Sequence, residues 1–271
     1  MSGFTADWLA LREPADARAR RPGTTVHLLP KVASLPVRIV DLGSGTGANC
    51  RYLAPWLGPV QDWLLVDNDG DLLARAVVVC GGLDGIRHVE TLKCDLLTGL
   101  TELPLAGAAL VTASALLDLV SEPWLTQLAE RCRMAQIPAL FALSYDGRVS
   151  CSPADSDDSW IRDALNAHQR RDKGFGPALG PIAAARARLL FESCGHVVAS
   201  HRSDWVLGPE DGTLQRALLE GWASAAAEQE PADTVRAAQW LRRRLAWIEA
   251  GCSRLIVGHE DLLALPPKTL R

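Results

Sequence analysis

The chain has 271 residues, 48% of them hydrophobic, enough to bury one large α/β core or a core with a cap. Its formal net charge of −4 gives none of the basic footprint of a nucleic-acid binder, so no nucleic-acid partner is expected. The longest apolar run, around LPLAGAALVTASALLDLV, is interrupted by Pro104, Gly107 and Asp118, so no membrane span is expected either.

In chain order, MSGFTADWLALREPADARARR is charged and lacks the apolar centre of a signal peptide; residues 1–34 read as an N-terminal helical segment, not an export signal. VRIVDL is a β-branched strand that runs into Gly43, Gly45 and Gly47, a turn where bare backbone can approach a ligand. GANCRYLAPWL is a helix opening at that turn and ending near Gly58 and Pro59. DWLLVDND is a second strand ending in acids, followed by helix DLLARAVVVC; IRHVETLKCDL and AALVTASAL supply strands three and four. Helix PWLTQLAERCRMA and strand PALFALSY complete a fifth unit, and this alternation predicts a parallel sheet with helices on both faces.

Beyond Tyr145 the chain turns polar and rich in Gly and Pro, and residues 146–182 read as an active-site insertion. Helix IAAARARLLFESC leads to a sixth strand, HVVASHRSDWVL. A helical insertion over 212–250 separates it from the last strand, SRLIVGHEDLLAL, with which it would form an antiparallel pair. The whole chain, 1–271, is expected to be one Rossmann-like domain, α/β, with a seven-stranded mostly parallel sheet and an antiparallel C-terminal strand pair. The seven cysteines are scattered, odd in number and never in a C-x-x-C pair, which points to buried thiols in a reducing cytoplasm and to no metal site. Abundant Arg against four Lys would suit a GC-rich bacterial genome.

Gly43, Gly45 and Ala48 satisfy the dinucleotide pattern G-x-G-x-x-[GA], so an NAD(P)-dependent oxidoreductase is one reading. Asp67, at the end of the second strand, is placed for a ribose diol under that reading or the next. VDLGSGTG, with Asp41 before the turn and Gly47 as third glycine, resembles the D/E-x-G-x-G-x-G first motif of the class I S-adenosylmethionine-dependent methyltransferases. KCDLL, ending the third strand, and the C-terminal strand pair extend the resemblance, which covers roughly residues 37–145 and the last two strands. It implies S-adenosyl-L-methionine as cofactor, S-adenosyl-L-homocysteine as product and methyl transfer to an acceptor. It also implies roles: Gly43, Gly45 and Gly47 under the amino-acid portion, Asp41 near its ammonium, Asp67 on the ribose, Asn68 by the adenine, Asp95 and Leu96 at the adenine edge, and Ser114 beside the sulfonium. Local alternatives stay open, with Asp67 as a helix cap, Asp95 as a turn residue and Asp41 as a loop brace.

A general base is needed only if the acceptor must shed a proton, and Asp118, Tyr145 and His168 are the candidates, with Asp146 beside Tyr145. Arg170, Arg171 and Lys173 near His168 could meet an anionic acceptor or simply be solvated. The fourth strand lacks the N/D-P-P-Y/F motif of amino-methylating nucleic-acid enzymes, which leaves a small-molecule acceptor. A non-catalytic S-adenosylmethionine-binding module, with partners docking on the Trp-rich late helices, is the third reading; Trp222, Trp240 and Trp247 would otherwise pack that hairpin onto the sheet.

Overall fold

The computed structural model describes residues 4–20 and 36–267, so the 1–3 and 21–34 parts of the expected N-terminal segment lie outside the described residues. Helix α1 (Ala6–Ala19) is capped by Thr5, whose hydroxyl accepts the Trp8 N–H at 3.2 Å. Strands β1 (Val37–Leu42), β2 (Gln61–Asp67), β3 (Ile86–Lys93), β4 (Leu110–Ser114) and β5 (Ala139–Ser152) run parallel in the order β3-β2-β1-β4-β5. Central β1 and β2 are buried on both faces, as their continuous apolar runs require. Edge strand β3 is largely exposed and charged.

Helices α2 (Ala48–Leu53) and α3 (Gly70–Cys80) cover one face, packing Cys50, Leu53, Leu73 and Ala76 against Ile39, Trp63 and Leu65. Short α4 (Leu96–Gly99), α5 (Glu122–Ala135) and α7 (Ala183–Ser193) cover the other, with Leu128 and Phe191 against Val40, Leu42 and Phe141. Alternate residues of β1 therefore feed two different cores. A third core lies among α1, α6 (Asp158–Gln169), α8 (Gly212–Gln229) and α9 (Thr234–Glu249), over Tyr145, Trp205, Leu255 and Val257.

The antiparallel end of the sheet is built on one long strand, β8 (Arg254–Leu265), lying between β5 and β6 (Val197–Arg202). Two differences from the sequence reading follow from its length. The expected single sixth strand is divided: β6 pairs with Glu260 to Leu265 while β7 (Trp205–Leu207) pairs with Leu255 to Val257, the break falling at Ser203 and Asp204. Strand β5 does not stop at Tyr145 but continues on β8 to Ser152, so the start of the segment read as an insertion is strand. Asp261 fills a bulge there by accepting the Leu143 N–H at 2.8 Å. No helix among the described residues is long and apolar enough to cross a membrane.

Candidate active site

The glycine turn leaves β1 with the Ser44 N–H on the Val66 carbonyl (3.0 Å) and the Gly47 N–H on the Ser44 carbonyl (2.8 Å). Gly43, Gly45 and Gly47 all have positive φ, 63°, 51° and 80°. At Gly47 a Cβ would lie 2.5 Å from the Cys80 sulfur, and at Gly45 it would lie 2.9 Å from Leu9 Cδ1, so α1 sits directly over the turn. Asp67 closes it from β2: its Oδ2 accepts the Gly45 N–H at 2.8 Å and its Oδ1 the Asp69 N–H at 3.0 Å. Each oxygen keeps a further lone pair. Asn68 is exposed beside it.

Asp41 is fully buried on β1. Its Oδ1 accepts from Asn49 Nδ2 at 2.7 Å, while Oδ2 is buried with no partner among the described residues. Asn49 also donates to Thr112 Oγ1 (3.1 Å) and accepts from Arg20 Nη1 (3.0 Å). The buried Arg20 guanidinium stacks 4.0 Å from the Tyr52 ring centre, and its Nε lies 4.0 Å from Asp261. Burial pushes the Asp41 carboxyl up to about 7, against the Asn49 bond and the Arg20 charge. Sequence reasoning missed Arg20, Asn49 and Asp261; the available signal was the Arg12, Asp16, Arg20 spacing, which puts two charges on one face of α1 and a third at its C-terminal end.

Asp95 is exposed and caps α4, its carboxylate accepting the Leu97 N–H at 2.9 Å. Leu96 is buried and its carbonyl takes the Trp124 Nε1–H at 2.7 Å, so its side chain belongs to the core. Half-buried Ser114 ends β4 and is followed by Ala115 at φ 52°, beside Leu143 on β5 at φ 55°. Left-handed backbone at two non-glycine residues is strain of the kind that gathers at functional sites. Asp41, Asp67, Asp95 and Ser114 thus share the carboxyl edge of the parallel strands.

The three candidate bases are separated in character. Asp118, in the turn after β4, is buried with Oδ1 unpartnered among the described residues. Burial pushes its carboxyl up to about 6, offset by backbone N–H bonds and by the Arg12 and Lys173 charges. Tyr145 donates its hydroxyl to Asn166 at 2.8 Å, and burial raises the phenol well above its ordinary range. His168, at the end of α6, has Nε2 3.2 Å from Glu228 of α8 and Nδ1 3.4 Å from Lys173; burial and Lys173 hold its pKa below the usual value. Asp146 is committed to Arg148. Arg171 is committed to the Glu228 carbonyl at 3.0 Å. His196 is buried just before β6 and His201 is exposed on it. Trp222 and Trp240 are buried in the third core, Trp240 donating to Asp158 at 2.8 Å, while Trp247 is half-buried against Arg244. His259 of β8, which the sequence did not single out, lies buried between Trp205 and Tyr145 (ring centres 4.9 and 6.3 Å).

Solved structures match nearly the whole chain, among them the following two. A cyclopropane-fatty-acyl-phospholipid synthase-like protein from Lactobacillus casei is 11% identical with a TM-score of 0.55, over 97% of this chain and 95% of that one. The cyclopropane synthase MmaA2 from Mycobacterium tuberculosis is 12% identical with a TM-score of 0.50, over 96% and 94%. No family model matches, and no curated protein matches by sequence. At these identities the likeness is one of fold: the chain has the Rossmann-like fold of the class I S-adenosylmethionine-dependent methyltransferases. The antiparallel β8 between β5 and β6 is the strand arrangement that the sequence resemblance led us to expect.

Proposed function

We propose that the protein binds S-adenosyl-L-methionine at the carboxyl edge of its parallel strands and transfers the methyl group to a small-molecule acceptor by in-line displacement. The observation that carries this reading is the conjunction of three left-handed glycines with a fully buried Asp41 oxygen that has no partner among the described residues. A buried, unpaired carboxylate oxygen is costly, and an ammonium group is the partner that would offset it. The residues fit the cofactor elsewhere too. Asp67 retains lone pairs for a ribose diol, with Asn68 beside it; Asp95 and the Leu96 backbone stand where an adenine edge would be met; Ser114 stands at the sulfonium end.

When bound, the cofactor supplies the electrophilic carbon, and the protein's share is orientation, exclusion of water and handling of a proton. Asp118 suits the last task. It is near neutrality in pKa, buried, and has a free oxygen, whereas Tyr145 is held by Asn166 and His168 by Glu228. The test is transfer of an isotopically labelled methyl group into a small-metabolite mixture. We expect labelled product with the wild type and a loss of about 100-fold in rate with Asp118→Asn; no labelled product at any acceptor, from protein that binds the cofactor, would contradict the reading.

A further inference from the structure

Arg20 closes the C-terminal end of α1 with its side chain buried. Two residues three apart on α2, hence on one face of it, hold the guanidinium: Asn49 Oδ1 accepts from Nη1 at 3.0 Å, and the Tyr52 ring centre lies 4.0 Å away. The contact is only half satisfied. Arg20 Nε stops 4.0 Å from Asp261, too far for a hydrogen bond, and the Tyr52 hydroxyl is buried; neither atom has a hydrogen-bond partner among the described residues.

Asn49 sets the spacing between this cation and Asp41. Its Nδ2 donates to Asp41 Oδ1 at 2.7 Å while its Oδ1 takes Arg20 Nη1, so one amide group stands between the carboxylate and the guanidinium. Asp41 Oδ2 is the unpaired acceptor already described; across the amide stands the Arg20 Nε donor, with the Tyr52 hydroxyl on the ring beneath it. Such a set is the complement of an α-amino acid, whose ammonium and carboxylate are one carbon apart. Other donors at the turn are spent. The Ser44, Gly45 and Gly47 amides go to Val66, Asp67 and Ser44 at 3.0, 2.8 and 2.8 Å. Arg51, also beside the turn, is gripped by Glu13 at two points (2.8 and 2.5 Å) and gives Nη1 to the Thr46 carbonyl at 2.6 Å.

We propose that Arg20 Nε and the Tyr52 hydroxyl receive the carboxylate of the cofactor's methionine portion, while Asp41 takes its ammonium. The proposal deepens the methyl-transfer reading and rests on it. Asn49 is then a positioning residue: bonded to both charges, it holds them apart so that each meets the ligand and not the other. Adenosine, which lacks both charges, would leave these buried atoms unpaired, so the pair selects for the amino-acid end. Because Arg20 ends the helix whose Leu9 covers Gly45, the bound carboxylate also fastens α1 over the turn.

Calorimetric titration of the full chain with S-adenosylhomocysteine and with its decarboxylated analogue, which keeps the ammonium, isolates the carboxylate. Wild type is expected to bind S-adenosylhomocysteine about tenfold or more tightly than the analogue. Arg20→Gln should cut that ratio to about threefold or less, chiefly by weakening S-adenosylhomocysteine, and Arg20→Lys should recover part of it. Tyr52→Phe, which removes only a hydroxyl, should lower the ratio about threefold and carries the test if Arg20→Gln does not fold. A purely structural contact would weaken both ligands alike. An unchanged ratio in the folded variant, or equal affinity of wild type for the two ligands, overturns the carboxylate assignment. Failure of wild type to bind either ligand would instead overturn the methyl-transfer reading beneath it.

Discussion

The Gly45 amide donates to the Asp67 carboxylate at 2.8 Å, so the turn after β1 is fastened to the end of β2 by the same side chain that we place on the cofactor ribose. One residue therefore shapes the turn and, in the proposed function, contacts the ligand. Asp67→Ala should weaken S-adenosylhomocysteine binding by about one to two orders of magnitude, the loss of charge-assisted bonds worth about 1.5–3 kcal/mol. Calorimetric titration of the folded variant checks this, and unchanged affinity would remove Asp67 from the site.

Cofactor binding should be linked to protons through Asp41. Its folded pKa of about 7 lies above the ordinary 3.8. In the ligand-free protein the group therefore contributes stability that is complete below pH 3.8 and is lost as pH rises through about 7. An ammonium beside Oδ2 favours the ionised form, so S-adenosylhomocysteine affinity should rise with pH from about 5.5 and level off above about 7.5. Asp41→Asn, which imitates the neutral acid, should bind weakly with most of that rise gone, while being about as stable as wild type near pH 4 and more stable than it at pH 8. Asp118, pushed up to about 6, titrates in the lower part of the same range, so Asp118→Asn is the companion variant.

His259 should govern the acid limb of stability. Burial, with Arg12 next in effect, lowers its pKa to about 3, against the Asp204 charge and the Val257 backbone bond. A depressed histidine contributes stability that is present above its unfolded value near 6.5 and is lost as pH falls through that value toward 3. Chemical denaturation of His259→Gln should show an acid limb flatter than wild type by about 2 kcal/mol or more between roughly pH 6.5 and 3.5. Parallel limbs would mean that the histidine is solvated.

Gly47 should be intolerant for two separable reasons. Its φ of 80° disfavours any side chain, and a Cβ would meet the Cys80 sulfur at 2.5 Å. Gly47→Ala should cost about 2–4 kcal/mol in unfolding free energy. In a Cys80→Ala background the same change should cost about 1–2 kcal/mol, leaving the backbone strain and a 3.3 Å approach to Ala76 Cβ. An equal cost in both backgrounds would show that the sulfur contact plays no part.

The parallel half of the fold was legible because its signals are local. Apolar runs mark β1 and β2, glycines mark the turn, and acids stand at the strand ends. What the sequence concealed depends on partners far along the chain. The continuation of β5 is visible in hindsight as the Val149, Cys151 alternation, but it is strand only because β8, a hundred residues on, pairs with it. His168 sits among basic neighbours in sequence, yet its main partner is Glu228, 60 residues away. Arg20 reaches Asn49 from an N-terminal segment whose charged face carried no motif. Asp95, read both as an adenine contact and as a turn residue, does cap α4, which leaves its other carboxylate oxygen for a ligand.

The most direct test of the central claim is thermal unfolding of the purified protein with S-adenosylmethionine, S-adenosylhomocysteine, NAD or NADP, each in large excess. A ligand at one hundred times its dissociation constant adds about 2.7 kcal/mol of stability, which for a chain of this size raises the midpoint by roughly 5–10 °C. The account predicts that rise with the two sulfur compounds and none with the dinucleotides. A rise with NAD or NADP alone would contradict it and make Ala48 the last position of a dinucleotide fingerprint.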